Sequence, residues 1–326
     1  MPDRRFVSQL AHNEPVQQVF LASEKQLRPN KNGNLYLQVD LSDRSGSINA
    51  RMWNASEDDY RTFENGDFVT VDGAAQLFQG NMQLIANRIR RARPDEVCEA
   101  DFMTLQSADV ERMRGRLVEI LAKVETPPLQ RLVRAFVDDE SFMDKFCRAP
   151  AGMKNHHAYK GGLLEHVVSL MELVLAVAPR YPQVDQDKLL VGAFLHDAAK
   201  VDELSYERDI AYTDEGQMLG HMIMGVSLVD AKVAECIRKD GMPMPEKLIV
   251  EIKHMIVSHH GEYEYGSSKL PMTLEAVALH HLDNLDAKLA SFTQMIRECP
   301  NADSPWTQYF SQIGRKLYKG ATIGAK

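Results

Sequence analysis

Five places in the C-terminal half of this 326-residue chain carry side chains that bind divalent metals. They are His166, the pair His196-Asp197, His221, the pair His259-His260, and Asp283. Ten of the eleven histidines fall between His156 and His281. Imidazole nitrogens and carboxylate oxygens hold catalytic divalent cations, and no cysteine joins them, which argues against a structural zinc. A lone histidine in a helical region is ordinarily a surface or satisfied core residue. Seven ligand candidates in fixed order, five histidines and two aspartates, each in or beside a separate amphipathic segment, suggest helices that converge their polar side chains on one point, as bundles do around metals.

The segments themselves support that convergence. Residues 161–177 (GGLLEHVVSLMELVLAV) are apolar nearly all round, as a buried helix should be. His166 inside it needs a partner to offset its desolvation, and a metal is one. Residues 187–200 (DKLLVGAFLHDAAK) place their polar residues at the end of an apolar run. Lys200 stands three residues after Asp197, on the same face if the helix continues. There it is a phosphate clamp, a proton donor, or a lysine favoured by a helix C-terminus. Upstream, Leu117, Ile120, Leu121 and Val124 have helical spacing, Pro127-Pro128 interrupts, and Leu129, Leu132, Val133 and Phe136 resume it. Residues 96–150 therefore form a helical connector expected to pack on the domain of residues 151–300.

The first 95 residues have the period-two pattern of strands. Leu35, Leu37, Val39 and Leu41 point one way, and Asn34, Tyr36, Gln38 and Asp40 the other. After the turn Asp43-Arg44-Ser45-Gly46, Ile48, Ala50 and Met52 oppose Asn49, Arg51 and Trp53. Further strands carry Val69 and Val71 and flank the turn Gln79-Gly80-Asn81, with a helix-like insert near residues 55–63. Five short strands with such an insert suit an oligonucleotide-binding (OB) barrel. Its outer face would carry Tyr36, Gln38, Arg51 and Trp53: rings to stack on bases, a cation for phosphate. The competing reading has Tyr36 and Trp53 packing on the second domain or covering a barrel edge.

The C-terminal half is similar to the HD-domain superfamily, named for its His-Asp dyad. More closely, it resembles the YhaM-type 3'-5' exoribonucleases. The resemblance is carried by His156-His157, Gly161-Gly162-Leu163-Leu164-Glu165-His166, Phe194-Leu195-His196-Asp197 with Lys200, Ser258-His259-His260-Gly261 and Glu264-Tyr265-Gly266-Ser267. Leu282-Asp283-Asn284-Leu285-Asp286-Ala287-Lys288 completes it. It implies a multidomain chain, an all-β OB-fold barrel (1–95) followed by an all-α HD domain, with a helical, basic tail over 301–326.

It also implies two divalent ions per chain, Mn²⁺ with Fe²⁺ as the alternative. Asp197 would bridge them, with His166, His196 and Asp283 on one and His221 and His259 on the other. His260 either ligates or reaches substrate; His156, His157 and Tyr265 are candidate substrate contacts. Two cations would acidify a water between them for attack on phosphorus. The expected function is 3'-5' hydrolysis of single-stranded RNA, and DNA, to nucleoside monophosphates. The alternatives are a phosphohydrolase of small nucleotides and an OB-fold nucleic-acid-binding factor.

Charge and composition bound these readings. The net charge is −8, yet residues 1–95 hold 12 Lys+Arg and 12 Asp+Glu, so the excess lies in the helical part. Such a chain does not advertise broad electrostatic binding to duplex DNA, whereas a single strand held by stacking needs less charge. The tail is basic, with Arg315, Lys316, Lys319 and Lys326 against Asp303, and reads as a solvated terminus or a phosphate contact. Cys98, Cys147, Cys236 and Cys299 form no metal or redox motif and read as thiols of a reducing cytoplasm. The start MPDRRFVSQL lacks the apolar core of a signal peptide, and no apolar run of transmembrane length is expected.

Overall fold

A computed structural model describes residues 4–78, 81–98, 101, 102, 105, 107–153, 159–206, 210–297, 299 and 304–320. The chain divides into two units, residues 1–104 with 292–326, and residues 105–291.

The first unit is the expected barrel. Strands β1 (Pro15–Pro29), β2 (Leu35–Asp43), β3 (Gly46–Trp53), β4 (Phe68–Phe78) and β5 (Asn81–Arg91) close in the order β1-β2-β3-β5-β4. All pairings are antiparallel except β3 with β5. Alternation decides what fills it: Leu37, Val39, Leu41, Ile48, Ala50 and Met52 are all buried inside. The helical insert is α1 (Glu57–Arg61), started by Ser56, whose hydroxyl accepts from Asp59 N at 3.1 Å while Asp59 accepts from Ser56 N at 2.8 Å.

The second unit is helical. It contains α2 (Ser107–Leu121), α3 (Pro127–Val137), α4 (Glu140–Arg148), α5 (Gly162–Val177), α6 (Gln186–Leu195) and the single turn α7 (Lys200–Glu203). A two-stranded pair, β6 (Leu204–Ser205) and β7 (Ala211–Tyr212), precedes α8 (Asp214–Asp240), α9 (Glu246–Ser258) and α10 (Leu274–Arg297), whose residues from Phe292 on belong to the first unit. Pro127 sits in the first turn of α3, where its missing N–H has no intrahelical acceptor to lose. Helices α2 to α4 share one apolar core with the helices that follow, so Leu117, Ile120, Leu129, Leu132 and Phe136 are fully buried. Phe194, two residues before His196, meets Phe136 at 5.9 Å and Phe146 at 5.4 Å, both edge to face. The connector's aromatics thus fix the end of α6, and with it the His-Asp dyad.

Two expectations need correction. A stretch long and apolar enough to cross a membrane does exist, Gly162–Arg180, with mean hydropathy 1.6. More than half of it is buried, because it is the central core helix of this unit, and apolarity on all sides serves that role equally. The tail is not helical over its described residues: 304–320 form a hairpin with bridges Trp306–Tyr318 and Phe310–Arg315. Gly314 and Gly320 adopt φ of 63° and 67°, a conformation a helix interior does not contain.

Candidate metal centre

The histidines reach the site from helix ends, from a helix break and, for His166, from within α5, each with one ring nitrogen anchored. His196 directly follows α6, and its Nδ1 lies 2.8 Å from the Ala193 carbonyl. His259 repeats the device after α9, with Nδ1 2.7 Å from Ile256 O. In both cases the last helical turn leaves a carbonyl without an amide partner, and the imidazole three residues on supplies one. Gly261, at φ 81°, turns the chain so that His260 Nδ1 meets Tyr265 O at 2.8 Å. An added Cβ on Gly261 would lie 2.1 Å from the His280 ring.

His221 depends on a break in α8. Gly220 is non-helical there, at φ 73° and ψ 157°, and the break takes the His221 amide out of the helical ladder. Glu203 Oε1 accepts from that amide at 2.9 Å and from His221 Nδ1 at 3.0 Å. On α5, His166 Nδ1 donates to Asp286 Oδ2 at 3.0 Å, and Ser169 Oγ donates to the other oxygen of Asp286 at 2.6 Å. Carbonyls and carboxylates only accept, so all five Nδ1 atoms carry the hydrogen and the Nε2 atoms face inward.

Inside this ring sits Asp197, its two oxygens turned to different groups. Oδ2 lies 3.4 Å from His196 Nε2, and Oδ1 lies 3.4 Å from His221 Nε2 and 3.6 Å from His259 Nε2. Asp283 Oδ1 is 3.2 Å from His166 Nε2 and 3.9 Å from His196 Nε2. Three groups have ligand atoms within 4.8 Å of one another: His221, His259 and His260; His166, His196 and Asp197; His196, His259 and Asp283. Asp197 Oδ1 and His221 Nε2 are buried and have no hydrogen-bond partner among the described residues. Two lone pairs facing each other without a proton between them repel in the protein interior, and a divalent cation resolves that. The donor set therefore fits a metal. His166, Asp197, Lys200, His259, His260 and Asp283 line a cavity of about 200 Å³.

The titration behaviour of the metal-free site follows from these contacts. Burial would lower the His166 pKa, but Asp283 and Asp286 outweigh it and push it up to about 10. Burial would raise Asp197, but Lys200, His196 and His221 hold it well below the carboxylate range. Asp283 is likewise depressed, its burial overcome by His166 and His196. Burial and the neighbouring His196 hold His259 well below its usual value, so it is neutral.

Of the residues singled out in the sequence, the seven ligand candidates come together. Lys200 joins them by another route than a continuing helix. The helix stops at Leu195, a turn follows, and Lys200 Nζ reaches both Asp197 Oδ2 and Ala151 O at 2.6 Å. The Tyr265 ring is exposed, and it is the residue's carbonyl that meets His260. His156 and His157 lie outside the described residues. Glu203 and Asp286, which hold candidate-ligand histidines, and Ser169, which holds Asp286, were missed. Ser169 and Asp286 stand three residues after His166 and Asp283, a spacing that could have raised them. In the barrel, Tyr36 pairs with Trp53 and Gln38 with Arg51 across β2 and β3. The two rings lie 5.2 Å apart, Trp53 is 45% exposed, and Arg51 forms no ion pair among the described residues.

This is a chain with an OB-type barrel and a helical unit built around a His-Asp cluster. Residues 163–288 match the family described as HD domain, and residues 22–92 the one described as OB-fold nucleic acid binding domain. The 3'-5' exoribonuclease YhaM of Bacillus velezensis is 37% identical over 307 residues, which cover 94% of this chain and 95% of that protein. YhaM of Bacillus subtilis is 37% identical with 94% and 95% covered. YhaM of a Geobacillus species is 38% identical with 79% and 78% covered. The chain belongs to the YhaM family.

Two outcomes follow from the anchoring. Gly220→Ala places a side chain in a backbone region essentially reserved for glycine, at a cost of roughly 1–3 kcal/mol. Relief of that strain re-forms the helix and withdraws His221 from Glu203, so divalent-metal affinity should fall at least about tenfold while helical circular dichroism is kept. Unchanged affinity would show that the break does not position His221. The second outcome concerns protons. At pH 7 the metal-free site holds a proton on His166 Nε2, which a cation must displace. Metal uptake should release a proton and strengthen as pH rises. Titration calorimetry in two buffers of different ionisation enthalpy reads this directly.

Proposed function

We propose that the protein is a metal-dependent 3'-5' exonuclease that hydrolyses single-stranded RNA, and DNA, to nucleoside monophosphates. What carries the reading is the buried, unpartnered pair Asp197 Oδ1 and His221 Nε2, 3.4 Å apart, with Asp197 on the cavity wall. It is supported by the two-faced Asp197, which offers one oxygen to each histidine group. His166, His196 and Asp283 would hold one ion and His221 and His259 the other, with Asp197 common to both. His260 belongs to the second group and is the more accessible, so it is the ligand best placed to meet substrate. The nitrogen and oxygen donors suit Mn²⁺, with Fe²⁺ second. When bound, such ions acidify the attacking water and offset charge growing on the phosphoryl oxygens.

The remaining chemistry belongs to the chain's own side chains. Lys200 holds the Asp197 carboxylate in place and brings positive charge to the wall of the cavity that receives the phosphate. Glu203, Asp286 and the three backbone carbonyls keep each imidazole turned with Nε2 inward. In the barrel, Tyr36 and Trp53 stack bases, while Arg51 and Gln38 take backbone and base polar groups.

Asp197→Asn removes the charge that both histidine groups face. It should lower bound metal and reduce hydrolysis of a 5'-labelled oligonucleotide by more than about tenfold, since the charge stabilisation by two metals is worth several kcal/mol. Single-strand binding should survive. Retained hydrolysis would sink the shared-carboxylate reading, and turnover of free nucleotides without oligonucleotide shortening would sink the exonuclease. Trp53→Ala should weaken single-strand binding roughly five- to a hundredfold at fixed salt, the equivalent of about 1–3 kcal/mol of stacking. It should leave dinucleotide hydrolysis unchanged. Barrel unfolding without a specific binding defect would make the ring structural.

A further inference from the structure

The C-terminal hairpin has features that the barrel's strand-binding face does not explain. Between positions 304 and 320 the sequence holds Arg315, Lys316 and Lys319 and no carboxylate, in a chain of net charge −8. The hairpin is a built element. Thr307 N donates to Leu317 O at 2.9 Å, Phe310 N to Arg315 O at 3.0 Å, and Lys319 N to Pro305 O at 2.8 Å. Thr307 and Leu317 are buried. Yet three of its four aromatic residues are turned to solvent: Trp306 is 47% exposed, Tyr309 61% and Tyr318 60%, while Phe310 is half-buried. Water-facing tryptophan and tyrosine on a short hairpin contribute little to a core, and such rings commonly serve binding.

The Trp306 and Tyr318 rings lie 5.0 Å apart, a second tilted pair beside the Tyr36–Trp53 pair at 5.2 Å. Arg315 and Lys316 form no ion pair among the described residues, and the Arg315 guanidinium lies 5.3 Å from the Phe292 ring centre. The hairpin belongs to the same unit as the barrel and is tied to it where Gln308 Nε2 donates to Asn81 Oδ1 at 2.8 Å. Asn81 opens β5, opposite the exposed Phe78 that ends β4. OB barrels take oligonucleotides on the face of strands 2 and 3 and on the loop between strands 4 and 5. The tether therefore sets the hairpin's rings and cations at an edge of the barrel suited to a strand.

We propose that the hairpin of residues 304–320 is a second binding element for single-stranded nucleic acid. Trp306, Tyr309 and Tyr318 stack on bases, and Arg315 and Lys316 meet phosphates. Exposed rings paired with unbalanced cations match the chemistry of a single strand, which offers flat faces and regularly spaced negative charge. The proposal rests on the nucleic-acid substrate proposed above, and its test separates the two.

The intact protein is titrated with a fluorescent single-stranded oligonucleotide at several salt concentrations. Tyr309→Ala, Lys316→Glu and Trp306→Ala are compared with Trp53→Ala. Tyr309 and Lys316 are exposed, so their variants should remain folded even if Trp306→Ala does not. Tyr309→Ala should weaken binding about fivefold or more, the low end of stacking losses. Lys316→Glu should lower the salt slope by at least about 0.7. Dinucleotide hydrolysis should be unchanged in both. Wild-type binding in both variants, with Trp53→Ala defective, overturns the hairpin element and leaves the barrel reading standing. Loss of self-association in the variants with unchanged oligonucleotide affinity also overturns it, by assigning the hairpin to contacts between copies. Failure of the wild-type protein to bind any single strand defeats both readings at once.

Discussion

The structure turns on one requirement: five imidazoles must turn Nε2 inward around two ionised carboxylates. A neutral imidazole can hold its hydrogen on either nitrogen. An acceptor on the outer nitrogen decides it, and each histidine here has one: Ala193 O, Ile256 O, Tyr265 O, Glu203 or Asp286. The inner nitrogens then crowd Asp197 and Asp283. Without a cation the arrangement leaves Asp197 Oδ1 and His221 Nε2 buried and unsatisfied, a poor choice for stability alone.

The helices meet this requirement by ending in the right places. His196 and His259 use the carbonyls that helix termini leave unpaired, so stopping α6 and α9 is itself the anchoring. Gly220 breaks α8 to hand the His221 amide and ring to one carboxylate oxygen. Aromatic packing around Phe194 fixes where α6 stops. The connector helices therefore matter to the chemistry, although none of them supplies a ligand candidate.

Which parts were legible in the sequence follows from the range of the interactions. The barrel was readable because burial alternates strictly, as at Leu37, Val39 and Leu41. The ligand candidates were readable because their types are rare in apolar helices. Their outer partners were not, since His166 and Asp286 stand 120 positions apart and meet only through the packing of α5 and α10. The turn between Leu195 and Lys200 was hidden as well, because Ala198 and Ala199 favour a continuing helix. Gly220 was equally silent, since an isolated glycine in a helical pattern is ordinarily tolerated. The tail misled through its basic composition, which says nothing about whether a segment folds back as a hairpin.

Net charge constrains how this protein can hold an anionic strand. Residues 1–95 are balanced, 12 basic against 12 acidic, so the barrel domain has little excess charge with which to attract phosphate. Part of the acidity elsewhere is committed: Asp197, Asp283, Glu203 and Asp286 all face histidines, and a bound cation would offset their charge locally. In the proposed function, attachment then comes from ring stacking, which each base supports whatever its sequence, with a few placed cations fixing the backbone. Stacking is insensitive to salt and to sequence, and it disfavours duplexes, whose bases already stack on each other. An acidic chain with exposed ring pairs is thus physically suited to unpaired strands of any sequence.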